Sequence, residues 1–162
     1  MFRIVPVSPV HIPGLCLAYR LGTERQRALA HSPSALTRTV LEEIAAGNHR
    51  YVAVAANQVV GWCGAWPGEQ GWRLDIGVLP GAGAETAARQ LLQTVVSALG
   101  DQLECAAALE LADDAAQACG LSASALADLP GVRLGPSSTT IPNQQYAGAH
   151  AGPTHAQHGD AS

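Results

Sequence analysis

The sequence predicts one α/β domain of the α+β kind, a mostly antiparallel sheet flanked by helices. Three observations lead there. Two Ser-Pro pairs, Ser8-Pro9 and Ser32-Pro33, each open a helical apolar pattern ahead of the main strand signals. Three β-branched or aromatic runs then follow in close succession between Arg50 and Leu79, divided by short turn-forming segments. The third run passes through Pro80, Gly81 and Gly83 into a helical period that lasts to Gly100.

Taken in order, Phe2 to Val7 is a short apolar segment suited to an opening strand. After Ser8-Pro9, Ile12, Leu15, Cys16 and Tyr19 fit one buried helix face, with Pro13 tolerated in the first turn. The polar stretch from Gly22 to His31 reads as a connection. Leu36, Val40, Leu41 and Ile44 mark the buried face of a second helix that ends at Gly47-Asn48. Arg50 to Ala55 and Gln58 to Trp66 read as strands joined by an Ala56-Asn57 hairpin, and the turn-rich Pro67 to Gly71 leads to a third strand, Trp72 to Leu79. Pro80 closes that strand because it has no N–H for a neighbour. Ala88, Leu91, Leu92, Val95 and Leu99 share the buried face of the next helix. Beyond it come a strand at Leu103 to Leu109, a short helix from Ala112 to Cys119 ending at Gly120, and a last strand at Val132 to Leu134. These place one domain at residues 1–135. Residues 136–162 hold few apolar side chains that could anchor them and read as a disordered tail.

The chain has 162 residues, 48% hydrophobic and 14% charged, with a net charge of −4. That is enough chain for one sizeable core, and no basic stripe exists to meet a nucleic-acid backbone. No apolar run is long enough to cross a bilayer and no signal-peptide pattern is present. Cys16, Cys63, Cys105 and Cys119 have no CxxC spacing and read as reduced thiols of a cytoplasmic protein, without a metal site. His150, His155 and His158 lie in the tail, and His11, His31 and His49 at element ends, where exposure is the default. Trp62, Trp66 and Trp72 on neighbouring strands read as core or cross-strand pairs.

Chemistry concentrates between Trp72 and Gly100. A strand that feeds a helix through a glycine loop points bare amides and the positive end of a helix dipole at one place, which suits a phosphate. The order of elements resembles the GNAT superfamily of N-acyltransferases. The phrases carrying the resemblance are FRIVPVSPVHIPGL, EEIAAGNHRYVAVAANQVVGWCGAWPG and DIGVLPGAG. They correspond to the first strand and helix, the second and third strands, and the fourth strand with its coenzyme A loop.

The resemblance implies a mixed sheet whose fourth and fifth strands splay apart to admit the pantetheine arm of acetyl-CoA or another acyl-CoA as cosubstrate. Ile76, Gly77 and Val78 would then bond the pantetheine and acyl carbonyl, and the amides of Gly83, Ala84, Glu85, Thr86, Ala87 and Ala88 would hold the diphosphate. The Val78 N–H becomes the oxyanion donor, and Asp75 and Glu110 become the bases that deprotonate an amine of a small molecule or peptide. The resemblance leaves a homodimer open and calls for neither nucleic acid nor membrane.

The sequence departs from the family at two places. The phosphate pattern, Arg or Gln, two residues, Gly, one residue, Gly or Ala, falls on Gly83, Thr86 and Ala88, of which Ala88 alone conforms. With no cation between Leu74 and Ala88, the diphosphate would rely on amides and on Arg89 or Arg73, so weakened coenzyme A binding is expected. The family's acid, a Tyr on the helix after the fifth strand, falls near Ala116, leaving Cys119 or a water for that part. A catalytically silent binding or regulatory protein is the rival reading. A dinucleotide fingerprint starting at Gly81, with Glu110 on the ribose, lacks its third glycine and the further βα units such a fold needs.

Overall fold

Alternating apolar residues between His49 and Val78 build the centre of a six-stranded sheet with strands in chain order. A computed structural model describes residues 1–47, 49–67, 71–100, 108–129 and 131–135. Strands β1 (Arg3–Pro6), β2 (His49–Ala55), β3 (Gln58–Pro67) and β4 (Gly71–Val78) pair antiparallel, while β5 (Ala108–Ala112) and β6 (Val132–Gly135) add on in parallel. The β2–β3 turn holds Ala56 and Asn57 at φ 49° and 63°, the two positive values that match the twist of a tight hairpin.

Helix α4 (Ala84–Leu99) covers one face of the sheet with Ala88, Leu91, Leu92, Val95 and Leu99 buried, as its period requires. Each large aliphatic side chain buried there stabilises the fold by about 1.5–3 kcal/mol. The short helices α5 (Asp113–Ala118) and α6 (Ala123–Leu126) supply Ala115, Ala116, Ala125 and Leu126 to the same core. Helices α1 (Ile12–Tyr19), α2 (Glu24–Ala30) and α3 (Pro33–Ala46) cover the opposite face, where Leu15, Tyr19, Leu36, Val40, Val52 and Trp62 pack together.

Several expectations are corrected. The polar stretch Gly22 to His31 contains α2, started by a reciprocal cap in which Thr23 and Gln26 bond each other's main chain at 3.3 and 2.9 Å. Leu41 is 43% exposed rather than buried, because α3 turns it away from the sheet. Ala112 ends β5 instead of starting a helix, and of the strand expected at Leu103 to Leu109 only Ala108 and Leu109 are described. The expected tail, residues 136–162, with its three histidines, and Cys105 lie outside the described residues.

Candidate functional site

β4 and β5 share register only from Gly71↔Ala108 to Leu74↔Leu111. Past that point β5 continues to Ala112 against β6 alone, so the half-strand Asp75–Val78 has no β5 residue beside it. The Leu79 N–H donates to the Val60 carbonyl at 2.8 Å, which fixes the alternation: Asp75 and Gly77 turn their main-chain groups to β3, and Ile76 and Val78 turn theirs into the gap. Of the expected trio Ile76, Gly77 and Val78, the outer two face the opening. Gly77 serves packing instead, since a Cβ there would lie 2.0 Å from the Trp62 ring.

Two side chains reach the gap-facing groups. Gln26 Nε2 donates to the Ile76 carbonyl at 3.1 Å, and the Val78 backbone bonds the Cys119 thiol at the end of α5. Cys119 is buried, and that burial pushes its thiol up to about 12 against the lowering effect of the Val78 bond. Cys63, on β3 opposite Ile76, is likewise pushed up, by burial first and by the nearby Asp75 charge second.

After Val78 the chain turns through Gly81 and Gly83, at φ 151° and 84°, into α4. A Cβ at either glycine would meet open space, so these glycines are needed for backbone conformation, and the volume beside the loop is clear. No side chain caps α4. The expected run of amides divides here. Gly83, Ala84, Glu85 and Thr86 are the cap and first three helical positions, whose N–H groups lack helical acceptors; the Ala84 N–H leans on Gly81 O at 3.2 Å. Ala87 already donates to Gly83 O at 2.9 Å, and Ala88, one position deeper, is buried against the sheet. Thr86 is exposed and leaves the helix end open.

Glu85 pairs with Arg89 at 2.9 Å across one exposed turn, while Arg89 Nε is buried without a partner among the described residues. The other buried side-chain atom in that condition is Trp62 Nε1, beside Gly77. Orphaned donors of this kind cost about 1–3 kcal/mol each; Arg89 sits in α4 near its start, whereas Trp62 is buried in the α1–α3 layer against Tyr19. A diphosphate could be held by the amides of Gly83 to Thr86, with Arg89 Nε on the same helix. Arg73, the other expected cation, is at the far end of β4, roughly 20 Å of extended chain from the loop.

The α1–α3 face of β4 is polar. Asp75 is buried and accepts from Arg25 Nη2 at 2.7 Å and Gln26 Nε2 at 3.2 Å, so α2 is clamped to the sheet at the start of the gap. Beside it, Arg50 bonds Glu43 and the Tyr19 hydroxyl, lying over Gly64, whose missing side chain makes room. Burial alone would lower Arg50's pKa, but Glu43 and Tyr19 outweigh it and hold the guanidinium charged. Burial raises the Tyr19 phenol well above its usual range. The register Trp66↔Arg73↔Glu110↔Arg133 puts Glu110 on the same face as Asp75, one strand over and two residues along, roughly 8 Å away between Cα atoms. Glu110 is half-buried and only loosely paired with Arg133, at 3.7 Å. Among the described residues no helix is long and apolar enough to cross a membrane, and no group of three His, Cys, Asp or Glu could hold a metal.

No protein-family model matches the chain and no curated protein matches it. Solved structures do resemble it. An N-acetyltransferase from Staphylococcus aureus Mu50 is 12% identical, with 63% of this chain covering 68% of that one at a TM-score of 0.55. The PaiA N-acetyltransferase of Thermoplasma acidophilum, in complex with coenzyme A, is 12% identical over 63% and 74% of the two chains, at 0.52. A ribosomal-protein-alanine N-acetyltransferase from Brucella melitensis is 17% identical over 62% and 68%, at 0.50. The chain therefore has the GNAT fold: a mixed six-stranded sheet with helices on both faces.

Proposed function

We propose that residues 1–135 form an acyl-CoA-dependent N-acyltransferase domain that transfers an acetyl group from acetyl-CoA to an amine of a small molecule or peptide. The observation that carries this reading is the half-strand Asp75–Val78, which has no strand partner on its β5 side and leads through the glycine loop to an uncapped helix end. The GNAT fold and the orphaned Arg89 Nε support it.

Bound acyl-CoA would supply the thioester that an amine attacks. Ile76 and Val78 offer main-chain groups for an extended ligand once Gln26 and Cys119 yield them, and the Val78 N–H is then the donor for a developing oxyanion. The amides of Gly83 to Thr86, with the Arg89 guanidinium released from Glu85, meet the diphosphate. Glu110 is the better placed of the two carboxylates to take a proton, because Asp75 is held by Arg25 and Gln26. The catalytically silent reading has its own support, since the gap-facing groups already have protein partners.

Thiol release from acetyl-CoA across a panel of primary amines separates the two. The enzyme reading expects turnover that falls about 10²–10⁴-fold in Glu110→Gln, with the KM for acetyl-CoA unchanged. No turnover across the panel, with no thermal shift from coenzyme A, overturns it in favour of the silent reading.

A further inference from the structure

A cavity of about 380 Å³ opens on the α1 side of the sheet, away from α4, between α1, the β2–β3 hairpin and Leu79. Gly14, Ala18, Val54, Val59 and Leu79 form its apolar wall. Three large apolar side chains at its edge stay in water: Val10, Leu17 and Leu21 are 80%, 62% and 69% exposed. Helix α1 has no charged residue in its eight positions, the composition of a helix covered on all sides, yet this side of it is bare. Contiguous exposed apolar surface around a concavity marks a binding site.

The polar part of the wall is His11, Asn57 and Gln58, with no acid among the lining residues. The Ser8 N–H donates to His11 Nδ1 at 3.0 Å, so the neutral ring carries its proton on Nε2. Arg3 stands opposite Val54 of the cavity wall in the β1–β2 register. An apolar chamber with hydrogen-bond donors and no acid in its wall, and a cation on the neighbouring strand, suits an apolar chain with an anionic head. One turn of a partner's helix, about 10–12 Å across and 5.4 Å long, already exceeds the cavity.

We propose that this cavity binds a monocarboxylic acid of medium chain length, its chain against Val54, Val59 and Leu79 and its carboxylate at the His11 end. The site is separate from the acyl-CoA gap and stands whether or not the chain is a transferase.

Isothermal titration of the full chain with hexanoate, octanoate and decanoate tests it. Saturable one-to-one binding is expected, tightening about fourfold per added methylene. Leu17→Glu, a change at a mostly exposed side chain, should weaken octanoate more than tenfold while leaving the Tm in place. Octylamine, with the same chain and the opposite head charge, should bind more than tenfold more weakly than octanoate. No saturable binding, an affinity indifferent to chain length, octylamine equal to octanoate, or full binding by Leu17→Glu overturns the proposal. So does a dimer that Leu17→Glu dissociates without any acid binding, which would make the patch a contact between copies.

Discussion

Replacing Thr86 with Asp should move stability and acyl-CoA binding in opposite directions. Thr86 is exposed at the third position of α4, and no side chain caps that helix. A carboxylate in the first turn meets the positive end of the helix dipole and stabilises by about 0.3–1 kcal/mol. The same carboxylate would face any diphosphate resting on the amides of Gly83 to Thr86. Two unit charges about 4 Å apart repel by about 1 kcal/mol even at the dielectric of water. With two negative charges on the ligand, the penalty is about 2 kcal/mol, or roughly thirtyfold in affinity. The assay pairs the KM or Kd for acetyl-CoA with the Tm. The expected variant melts no lower than the parent and binds acetyl-CoA about thirtyfold more weakly. A variant that keeps its affinity refutes the placement of the diphosphate at this helix end; in the expected variant the undiminished Tm rules out misfolding as the cause of the weaker binding.

Asp75→Ala should cost about 3–5 kcal/mol by removing the buried carboxylate to which both Arg25 and Gln26 donate, whereas Asp75→Asn, which keeps an acceptor for Gln26, should cost less; urea midpoints equal to the parent's in both variants would show that this carboxylate is not what anchors α2. Gly77→Ala must push the buried Trp62 ring aside and should lose about 1–3 kcal/mol or more, so a Tm within a degree of the parent would contradict the packing described. Alkaline pH should destabilise the fold. Cys119 and Cys63 are both raised on folding, so the unfolded chain loses these protons first. Their contribution is intact below about pH 8.5 and drains away up to about pH 12 for Cys119. Unfolding free energy in reductant should thus fall between pH 8.5 and 10.5, less steeply in Cys119→Ala, and a flat profile would show that these thiols ionise as they do in water.

The meander and α4 were legible because each is written in local chemistry: paired turn residues at Ala56-Asn57, the Pro80 stop, the Gly81 and Gly83 loop, and a clean 3.6-residue period from Ala88 to Leu99. Helix α2 was not, because ERQRALA has no apolar stripe; its face is polar and is held by Asp75 and Ile76, about fifty positions away. The Thr23-x-x-Gln26 cap was the available signal. Asp75 stood out as a lone carboxylate on a strand, but its role as the anchor of α2 depends on Arg25 and Gln26 arriving from elsewhere in the chain. The meeting of Cys119 with Val78 is equally non-local, made when α5 packs against β4. Leu41 repeats the lesson from the other side: it keeps the helical period but faces solvent, since a stripe can be wider than the surface that covers it.

The gap beside Asp75–Val78 is tested most directly by following backbone amide resonances while acetyl-CoA is added to the full chain. Saturable shifts are expected to be largest at Ile76 and Val78 and at Gly81 to Thr86, with the Val78 amide exchanging its sulfur partner for an oxygen. Saturation that leaves those amides unmoved, or no saturable shift at all, would contradict the assignment of this half-strand and helix end as the acyl-CoA site.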